Sequence, residues 1–286
     1  MTDLARGGLR LGSARPRSRD FFRIVSWNIE RGLQFPKILD FLRTIEADLL
    51  LLQEVDLNAR RTRCRDVASE LAQALNLNYA FGIEFQELSE GTAASPAFHG
   101  NATLSPWPLS KARVIRFQDQ STFWKPHWYV PEMPVFQRRT GGRIALVAEA
   151  TIYGRKVVTY NLHLESKSND ALRVQQLNEV LADCATYVDE PTFVVAGDLN
   201  LHADGGDAAR ALRDAGFHDA VRLPEHPTSI AQGLTHHARA IDWIFVSDTP
   251  VVPATPDSPG RVHNDIRASD HYPISATLAR PRALSW

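Results

Sequence analysis

The stretch VVAGDLNLH, residues 194–202, places polar groups directly after a run of apolar residues. Residues 191–196 form a short apolar run, which predicts a buried strand. Asp198 and Asn200 follow it at once. A carboxylate in that position is costly unless it forms an ion pair or binds a metal. A single carboxylate of this kind is usually a cap or turn residue, so the stretch predicts a buried strand and becomes evidence of a site only together with similar strand ends elsewhere.

The segments before this strand predict helices and further strands. Residues 169–187 have apolar residues at helical spacing. Residues 143–153 and 156–164 are β-rich runs joined at Gly154-Arg155, and this pattern predicts a hairpin because glycine provides the turn. Residues 105–141 are rich in proline and aromatic residues and are predicted to be irregular.

The rest of the chain alternates in the same way. The other predicted strands are 22–27, 48–53, 79–85, 102–104, 241–246 and 272–278, and the other predicted helices are 36–47, 64–75 and 208–215. Helices alternate with strands early in the chain, whereas hairpins dominate its middle. This order predicts an α/β protein with mixed rather than purely parallel sheets.

Polar residues recur at the ends of the predicted strands. They are Asn28, Glu54, His163, Asp198, Asn200, Asp242, Asp270 and His271. Ligands of sheet proteins gather at such ends because separate strands deliver side chains to one point. Carboxylate and amide oxygens without a cysteine suit magnesium or manganese. Histidines beside such a site suit proton transfer or stabilisation of a phosphate.

Several classes of protein are disfavoured. The Gly-x-Ser-x-Gly pattern and the P-loop pattern are absent, which argues against serine esterase and P-loop chemistry. No uninterrupted apolar run approaches the ~20 residues that a membrane-spanning helix needs. Apolar residues make up 44% of the chain and charged residues 23%, which is typical of a folded protein with a sizeable core.

Seven segments follow one another in the order seen in the endonuclease/exonuclease/phosphatase superfamily, which the chain resembles. They are SWNIERG (26–32), LLLQEVD (50–56), GNATLS (100–105), YNLHLES (160–166), VVAGDLNLH (194–202), AIDWIFVS (240–247) and ASDHYPISATL (268–278). The most specific part is GDxN followed by IDxI and then SDHxP. The resemblance covers residues 22–280. It implies a deoxyribonuclease-like α/β fold of four layers, in which two packed mixed β-sheets are flanked by helices.

The resemblance implies a metal site. Glu54 resembles the principal metal ligand, and Asn28 and Asp270 complete the site. The implied metal is Mg²⁺, with Mn²⁺ as a substitute. Glu30 stands where some family members carry a metal-linked aspartate and others carry something else, so it is left out of the predicted site.

The resemblance also implies catalytic roles. Asp198 and Asn200 resemble the pair that orients or deprotonates the attacking water. His271 resembles the histidine that faces the phosphoryl group, and Asp242 the carboxylate that holds its ring. His163 falls where family members place a residue that contacts phosphate.

The implied function is divalent-metal-dependent hydrolysis of a phosphodiester by in-line attack of an activated water. Two alternatives stay open, namely a DNA or RNA nuclease with the same site and a non-catalytic phosphate-binding module. Residues 1–23 carry a net charge of +4 and the chain carries −1, which leaves −5 on residues 24–286. Proteins that bind nucleic acids usually present a basic face. The charge therefore favours a small-molecule or lipid-headgroup phosphoester as the substrate.

A length of 286 residues fits one large domain. The predicted organisation is a flexible basic tail over residues 1–21 and a single catalytic domain over residues 22–286. The two cysteines, Cys64 and Cys184, match no disulfide framework or zinc signature. They favour a reducing compartment, and we expect a cytoplasmic location.

Two segments have open interpretations. The arginines at 60, 61 and 63 either clamp a phosphate or form a solvated loop. The aromatic stretch 123–131 forms a substrate wall, faces lipid, or packs under a long loop. Besides the phosphoester substrate, nucleic acid and a membrane surface therefore stay open as partners. No protein partner is implied.

Overall fold

The four leucines at 49–52 form a strand that is covered on both faces. Leu49 and Leu51 contact a core between two sheets, whereas Leu50 and Leu52 contact a core beneath helices. Successive side chains of a strand point to opposite faces, so an uninterrupted apolar run is what two covered faces require.

The structure is a computed structural model of the chain. It describes residues 21–121, 137–166, 168–201, 205–221, 226–231, 238–247 and 260–279.

The first sheet is built around the parallel pair of β1 and β2. In spatial order its described strands are β13 (Gly260–Val262), β14 (Ile274–Ala279), β1 (Phe21–Arg31), β2 (Leu49–Ala59), β5 (Ala97–Ser105), β4 (Asn78–Glu87) and β7 (Arg139–Gly141), with β3 (Arg65–Asp66) paired to β2. The other described pairs of this sheet are antiparallel, so the sheet is mixed.

The second sheet is built around the parallel pair of β9 and β10. Its described strands, in spatial order, are β11 (Phe217–Asp219), β12 (Asp242–Ser247), β10 (Thr192–Asp198), β9 (Arg155–His163), β8 (Ile144–Ile152) and β6 (Leu109–Arg116). The remaining described pairs are again antiparallel. Both sheets are therefore mixed, as the sequence predicts.

Helices cover the outer face of each sheet. They are α1 (Phe35–Ile45), α2 (Val67–Leu75), α3 (Asp170–Cys184) and α4 (Gly206–Asp214). α1 and α2 share a core with the first sheet, and α3 and α4 share one with the second. A third core lies between the sheets. The four predicted layers, helix, sheet, sheet and helix, are confirmed.

The predicted hairpin is confirmed, and its turn has a clear local cause. Tyr153 and Gly154 both hold left-handed φ values, 50° and 82°, between the paired residues Ile152 and Arg155. Two left-handed residues make the turn whose twist matches that of the flanking strands.

The predicted start of the second helix, at Cys64, is wrong by three residues. Cys64 has a left-handed φ of 56°, and Arg65–Asp66 pairs with β2 instead. The Asp66 carboxylate then accepts a hydrogen bond from the Ser69 N–H at 3.0 Å. This cap satisfies one of the free N–H groups of the first turn and places the start of the helix at Val67.

The prediction of irregular structure over residues 105–141 is wrong for β6 and β7, which lie within it, whereas residues 122–136 lie outside the described residues. Each is the last strand on its side of its sheet. An edge strand with one covered face does not need a continuous apolar run, so the pattern was absent from the sequence. The aromatic stretch 123–131 lies outside the described residues.

Of the predicted tail, only Phe21 is among the described residues, and it belongs to β1, where it pairs with Ala279. The rest of the predicted tail lies outside the described residues. A helix long and apolar enough to cross a membrane is absent from the described part of the chain.

Candidate active site

A row of three polar side chains crosses the second sheet where its strands end. Asp198 is the last residue of β10 and is in register with His163, the last residue of β9. It is equally in register with Asp242, the first residue of β12. All three side chains are buried. The parallel pair and the antiparallel pair thus bring three predicted site residues to one edge.

The first sheet contributes Asn28 to the same place. Its Nδ2 donates a hydrogen bond to Asp198 Oδ2 at 3.1 Å, and its Oδ1 accepts one from the Glu30 N–H at 3.1 Å. A second amide contact crosses between the sheets, where Gln53 Nε2 donates to Asn161 Oδ1 at 2.8 Å. Buried amide side chains therefore fix the two sheets relative to each other at the site.

Three nitrogen atoms surround one oxygen of Asp198. Asn28 Nδ2 lies 3.1 Å, His163 Nε2 3.6 Å and His271 Nε2 3.7 Å from Asp198 Oδ2. Burial raises the pKa of Asp198 above its ordinary value; the charge of His271 opposes this, and that of Asp242 adds to it. A buried carboxylate with a raised pKa in a polar cluster is suited to accept a proton.

His271 forms a tight pair with Asp242. Its Nδ1 lies 2.9 Å from Asp242 Oδ2, and both side chains are buried. Burial alone would lower the pKa of His271, but the carboxylates of Asp242 and Asp198 raise it well above its ordinary value. The Asp242 N–H donates to Thr228 Oγ1 at 3.1 Å, which holds the carboxylate's backbone in place. This arrangement favours a charged imidazolium with a fixed orientation.

The segment that carries Asp270 and His271 is attached to the first strand. Trp27 Nε1 donates to the His271 carbonyl oxygen at 2.9 Å. Ser269 Oγ donates to the Asn28 carbonyl oxygen at 2.6 Å and accepts from the His271 N–H at 3.1 Å. These contacts, far apart in sequence, set the position of the histidine.

His163 faces a second carboxylate, that of Glu84 on β4. The distance from His163 Nδ1 to Glu84 Oε2 is 3.6 Å, too long for a hydrogen bond. Glu84 Oε1 accepts instead from the buried guanidinium of Arg143. Burial would raise the pKa of Glu84, but Arg143 and His163 lower it to about 2. Glu84 was absent from the predicted site.

Three further carboxylates crowd together beside this cluster. Glu30 accepts a hydrogen bond from the backbone of Asp270. Burial raises the pKa of Glu30, and the charges of Asp270 and Glu54 add to that rise while Arg31 opposes it. Burial would likewise raise the pKa of Glu54, but nearby cations, Arg31 foremost, hold it well below its ordinary value.

This second group fits a divalent cation. Carboxylate oxygens with an amide oxygen close by are the hard donors that Mg²⁺ and Mn²⁺ take. Carboxylates this close disfavour each other's charge, and a bound cation relieves that repulsion. Glu30 interacts electrostatically with both Asp270 and Glu54, and its N–H donates to Asn28 Oδ1, so the predicted ligands lie around Glu30, which was not among them.

Backbone irregularities aim several of these side chains. Glu30, Glu54 and Asn200 have left-handed φ values of 44°, 52° and 51°, which are uncommon outside glycine. The pairing of β1 with β2, and of β2 with β5, shifts register at Glu30 and Glu54, as bulges do. Asn200 Nδ2 donates to the Leu164 carbonyl oxygen at 3.2 Å, and its N–H reaches Asp198 Oδ1 at 3.3 Å.

A different trio could also hold a metal. Among the described histidine and acidic residues, Asp198, Asp242 and His271 offer ligand atoms within 4.8 Å of one another. A metal ion bound by these three residues would break the hydrogen bond between Asp242 and His271. Glu30, Glu54 and Asp270, which are also among the described residues, do not present three ligand atoms within that distance of one another, and a cation at Glu54 would displace Arg31, whose Nη2 lies 3.3 Å from Glu54 Oε2.

Arg61, in the arginine cluster at 60–63, neither stands free to clamp a phosphate nor lies on a solvated loop. The guanidinium of Arg61 binds both oxygens of Asp56 at 2.7 Å and also lies 3.3 Å from Glu87 Oε2. Both acids are buried, so Arg61 neutralises them. It is a structural ion pair and not a solvated loop residue.

The residues that sequence reasoning missed left only weak signals. Glu84 is an acid within a predicted strand, and Arg143 is the first residue of another. A charged side chain in a buried strand needs a partner, so each could have been suspected. Their pairing, across 59 positions, could not.

The four layers and the polar groups at the strand ends are those of the deoxyribonuclease-like class of folds. A family model described as the Endonuclease/Exonuclease/phosphatase family matches residues 25–271. The chain therefore belongs to this family, whose members are hydrolases that act on phosphoester bonds. No curated protein matches the chain.

Solved structures show the same fold. The endonuclease/exonuclease/phosphatase from Beutenbergia cavernae DSM 12333 is 19% identical with a TM-score of 0.67, and the match covers 93% of this chain and 73% of that one. D. rerio TDP2, humanized by 14 mutations, is 18% identical with a TM-score of 0.59, over 91% and 99% of the two chains. ANGEL2, a 2′,3′-cyclic phosphatase, is 14% identical with a TM-score of 0.60, over 90% and 95%. At these identities the likeness concerns the fold alone.

Proposed function

We propose that this protein is a divalent-metal-dependent phosphoesterase that hydrolyses a phosphodiester P–O bond by in-line attack of water. The observation that carries the proposal is the environment of Asp198. Its buried carboxylate has a raised pKa and is surrounded by Asn28, His163 and His271. That arrangement supplies a base and the donors that an oxyanion needs, in one place.

Asp198 is the group that accepts the proton of the attacking water. Asn200, two residues further on, is bound to Asp198 through its N–H and helps to orient that water. His271 faces the developing negative charge with Nε2, because Nδ1 is held by Asp242. A charged imidazole stabilises such a charge better than a neutral one. His163, whose Nε2 lies 3.6 Å from Asp198 Oδ2, is the second histidine placed to contact the phosphate.

Glu54, Asp270 and Asn28 would hold the metal ion, with Glu30 as a further ligand. A bound Mg²⁺ or Mn²⁺ supplies Lewis-acid polarisation of a phosphoryl oxygen. Glu54 keeps its charge at every physiological pH because Arg31 and the other nearby cations lower its pKa. It is therefore a ligand that needs no deprotonation before it binds a cation.

The net charge of −5 on residues 24–286 supports a small-molecule or lipid-headgroup phosphoester as the substrate. A nuclease acting on DNA or RNA is the alternative within the same chemistry. The two cysteines, one exposed and one buried, are unpaired, which supports a reducing compartment and hence a cytoplasmic location.

A substrate panel tests the function. The full chain is assayed with Mg²⁺ on bis-p-nitrophenyl phosphate, a 2′,3′-cyclic nucleotide, sphingomyelin, inositol phosphates, plasmid DNA and single-stranded RNA. The cyclic nucleotide is included because ANGEL2 is described as a 2′,3′-cyclic phosphatase. We expect hydrolysis of a small diester, its loss in excess chelator, and its return with Mg²⁺ or Mn²⁺.

Asp198→Asn and Asp40→Asn form a matched pair for this assay, because Asp40 lies exposed on α1. We expect the first to abolish hydrolysis and the second to leave it unchanged. Full activity in excess chelator would overturn the metal mechanism. Cleavage confined to DNA or RNA would establish the nuclease instead, and phosphate binding without hydrolysis of any substrate would establish a binding module.

A further inference from the structure

The turn that follows Asn28 is strained, and it carries two charged residues into the site. Glu30, Arg31 and Gly32 have left-handed φ values of 44°, 67° and 81° in succession. Left-handed backbone costs roughly 1–2 kcal/mol for each residue other than glycine. The Gly32 N–H donates to the Ile29 carbonyl at 2.9 Å, and the Leu33 N–H to that of Glu30 at 3.2 Å. Backbone strain of this kind persists only where the surrounding structure holds the residues in that conformation, and it is common at functional sites.

Arg31 is the counter-ion of the principal metal ligand. Its Nη2 lies 3.3 Å from Glu54 Oε2, and the two side chains are 26% and 17% exposed. After burial itself, the charge of Arg31 has the largest effect on the pKa of Glu54. Arg31 therefore already pairs, as a cation, with the carboxylate that a metal ion would have to bind.

A second arginine lies near Arg31. Arg139 lies on β7, where its Nη2 is 3.1 Å from Glu87 Oε1. Burial lowers the pKa of Arg139; the carboxylates of Glu87 and Glu54 oppose this, and the charge of Arg31 adds to it. The two guanidinium groups thus repel each other in the field of Glu54, which attracts both. An anion placed between them would relieve that repulsion, since a guanidinium binds phosphate with two parallel hydrogen bonds.

We propose that Arg31 exchanges partners during the catalytic cycle, neutralising Glu54 in the metal-free protein and binding a phosphate group, together with Arg139, once a divalent cation holds Glu54. The inference rests on the proposed metal site and deepens it. Its consequence is a positive coupling between cation and phosphate, because each ligand favours the same displacement of Arg31. Such coupling is reciprocal, so phosphate tightens metal binding by the factor by which metal tightens phosphate binding.

The test measures metal affinity and not activity. Mn²⁺ is titrated into the full chain by calorimetry, with and without inorganic phosphate, for the wild type, Arg31→Gln, Arg31→Lys and Arg43→Gln. Glutamine removes the charge but leaves a non-glycine residue on the same backbone, and lysine keeps the charge without the planar fork. Arg43 is 55% exposed on α1 and serves as the control.

Without phosphate, we expect Arg31→Gln to bind Mn²⁺ about fivefold or more tightly than the wild type, within the usual range of coupling between sites. Arg31→Lys and Arg43→Gln should match the wild type. With phosphate, the affinity of the wild type should rise several-fold and that of Arg31→Gln should change little.

Unchanged or weaker Mn²⁺ binding by Arg31→Gln, with binding lost in Glu54→Gln, would overturn the inference and leave the metal site intact. Coupling to phosphate that survives in Arg31→Gln would also overturn it. Failure of the wild type to bind Mn²⁺ would overturn the inference and the proposed function together. Melting temperatures of all variants show whether each is folded.

Discussion

The site contains two pairs of a histidine and a carboxylate that differ in one respect. His271 with Asp242, and His163 with Glu84, both direct Nε2 towards Asp198 Oδ2, at 3.7 Å and 3.6 Å. The distance within the first pair is 2.9 Å, whereas that within the second is 3.6 Å. Both histidines thus approach the same oxygen of Asp198, but only His271 is within hydrogen-bonding distance of its own carboxylate partner.

The difference comes from a third residue. Glu84 also binds Arg143, whose guanidinium is buried against it. Asp242 Oδ1 has no hydrogen-bond partner among the described residues, so the charge of this carboxylate acts chiefly on His271. A carboxylate already neutralised by an arginine attracts a histidine less strongly. The comparison teaches that the pair at His271 is built to hold a charge, and the pair at His163 to hold a position.

The largest expected effect breaks the tight pair. Asp242→Asn keeps the shape of the side chain and removes its charge, so kcat should fall on the order of 10²-fold or more, as when one preorganised donor is lost. His271→Ala should be at least as damaging. Metal affinity should change little, because neither residue is a proposed ligand.

The double variant tests whether the two residues act as one unit. Its kcat should be little lower than that of His271→Ala, since members of one unit are strongly non-additive. Losses that multiply would mean that the residues work independently. His218→Ala, on β11, is the control and should retain full activity.

The next effect breaks the looser pair. Glu84→Gln should lower kcat by about tenfold, less than the loss of a charge-stabilising donor. It also removes the carboxylate that chiefly neutralises the buried guanidinium of Arg143, which should cost about 3–5 kcal/mol of unfolding free energy. Urea denaturation and steady-state kinetics measure the two effects.

Glu84→Gln with Arg143→Met separates position from stability. Replacing both members of a buried ion pair by neutral residues is often close to neutral for stability. The double variant should therefore recover most of the lost unfolding free energy while kcat stays low. Recovery of kcat along with stability would show that Glu84 does not position His163.

A smaller effect sharpens the comparison through pH. Arg143 and His163, with His99 behind them, hold the pKa of Glu84 near 2 against burial. The unfolded chain binds that proton more readily, so the stabilisation is complete above about pH 4.5 and is lost as pH falls towards about 2. The stability gap between the wild type and Glu84→Gln should narrow over that range, as followed by urea unfolding. A gap that is constant with pH would contradict the assignment. The exposed Glu190→Gln should show no such gap.

The smallest effect is expected from the tail. Deleting residues 1–20 removes no member of either pair, and β1 begins at Phe21. Hydrolysis of bis-p-nitrophenyl phosphate and the melting temperature should stay near those of the full chain. If the tail recruits polyanions, binding to DNA or anionic vesicles should weaken and lose part of its salt dependence. A truncated chain that does not fold would show that the domain begins earlier.

Much of the fold could be predicted because most strands carry their own pattern. The leucines of β2 and the run before Asp198 on β10 are apolar on both faces and could lie only in the middle of a covered sheet. The edge strands β6, β7, β11 and β13 could not be predicted. They hydrogen-bond to one neighbour each, so their pattern depends on what lies beside them.

The candidate site divides in the same manner. Asp198, Asp242 and His271 lie in motifs whose order along the chain suggested one site, and the structure brings them together. Glu84 lies in none of these motifs, and Arg31 lies in one of them, SWNIERG, but was given no role there. Glu84 reaches the site because β4 of one sheet faces β9 of the other, and Arg31 because a left-handed turn re-aims it.

The sequence by itself determined the mixed α/β character of this protein and the kinds of polar group at its strand ends, because periodicity and residue chemistry are local properties of the chain; its four layers were implied by the family resemblance. Only the tertiary structure decided which carboxylate serves which histidine, and that Arg31 neutralises Glu54. The physical reason is that a buried charge responds to partners within a few ångströms, whatever their separation in sequence. A difference of less than 1 Å, set by where Arg143 lies, separates the two pairs.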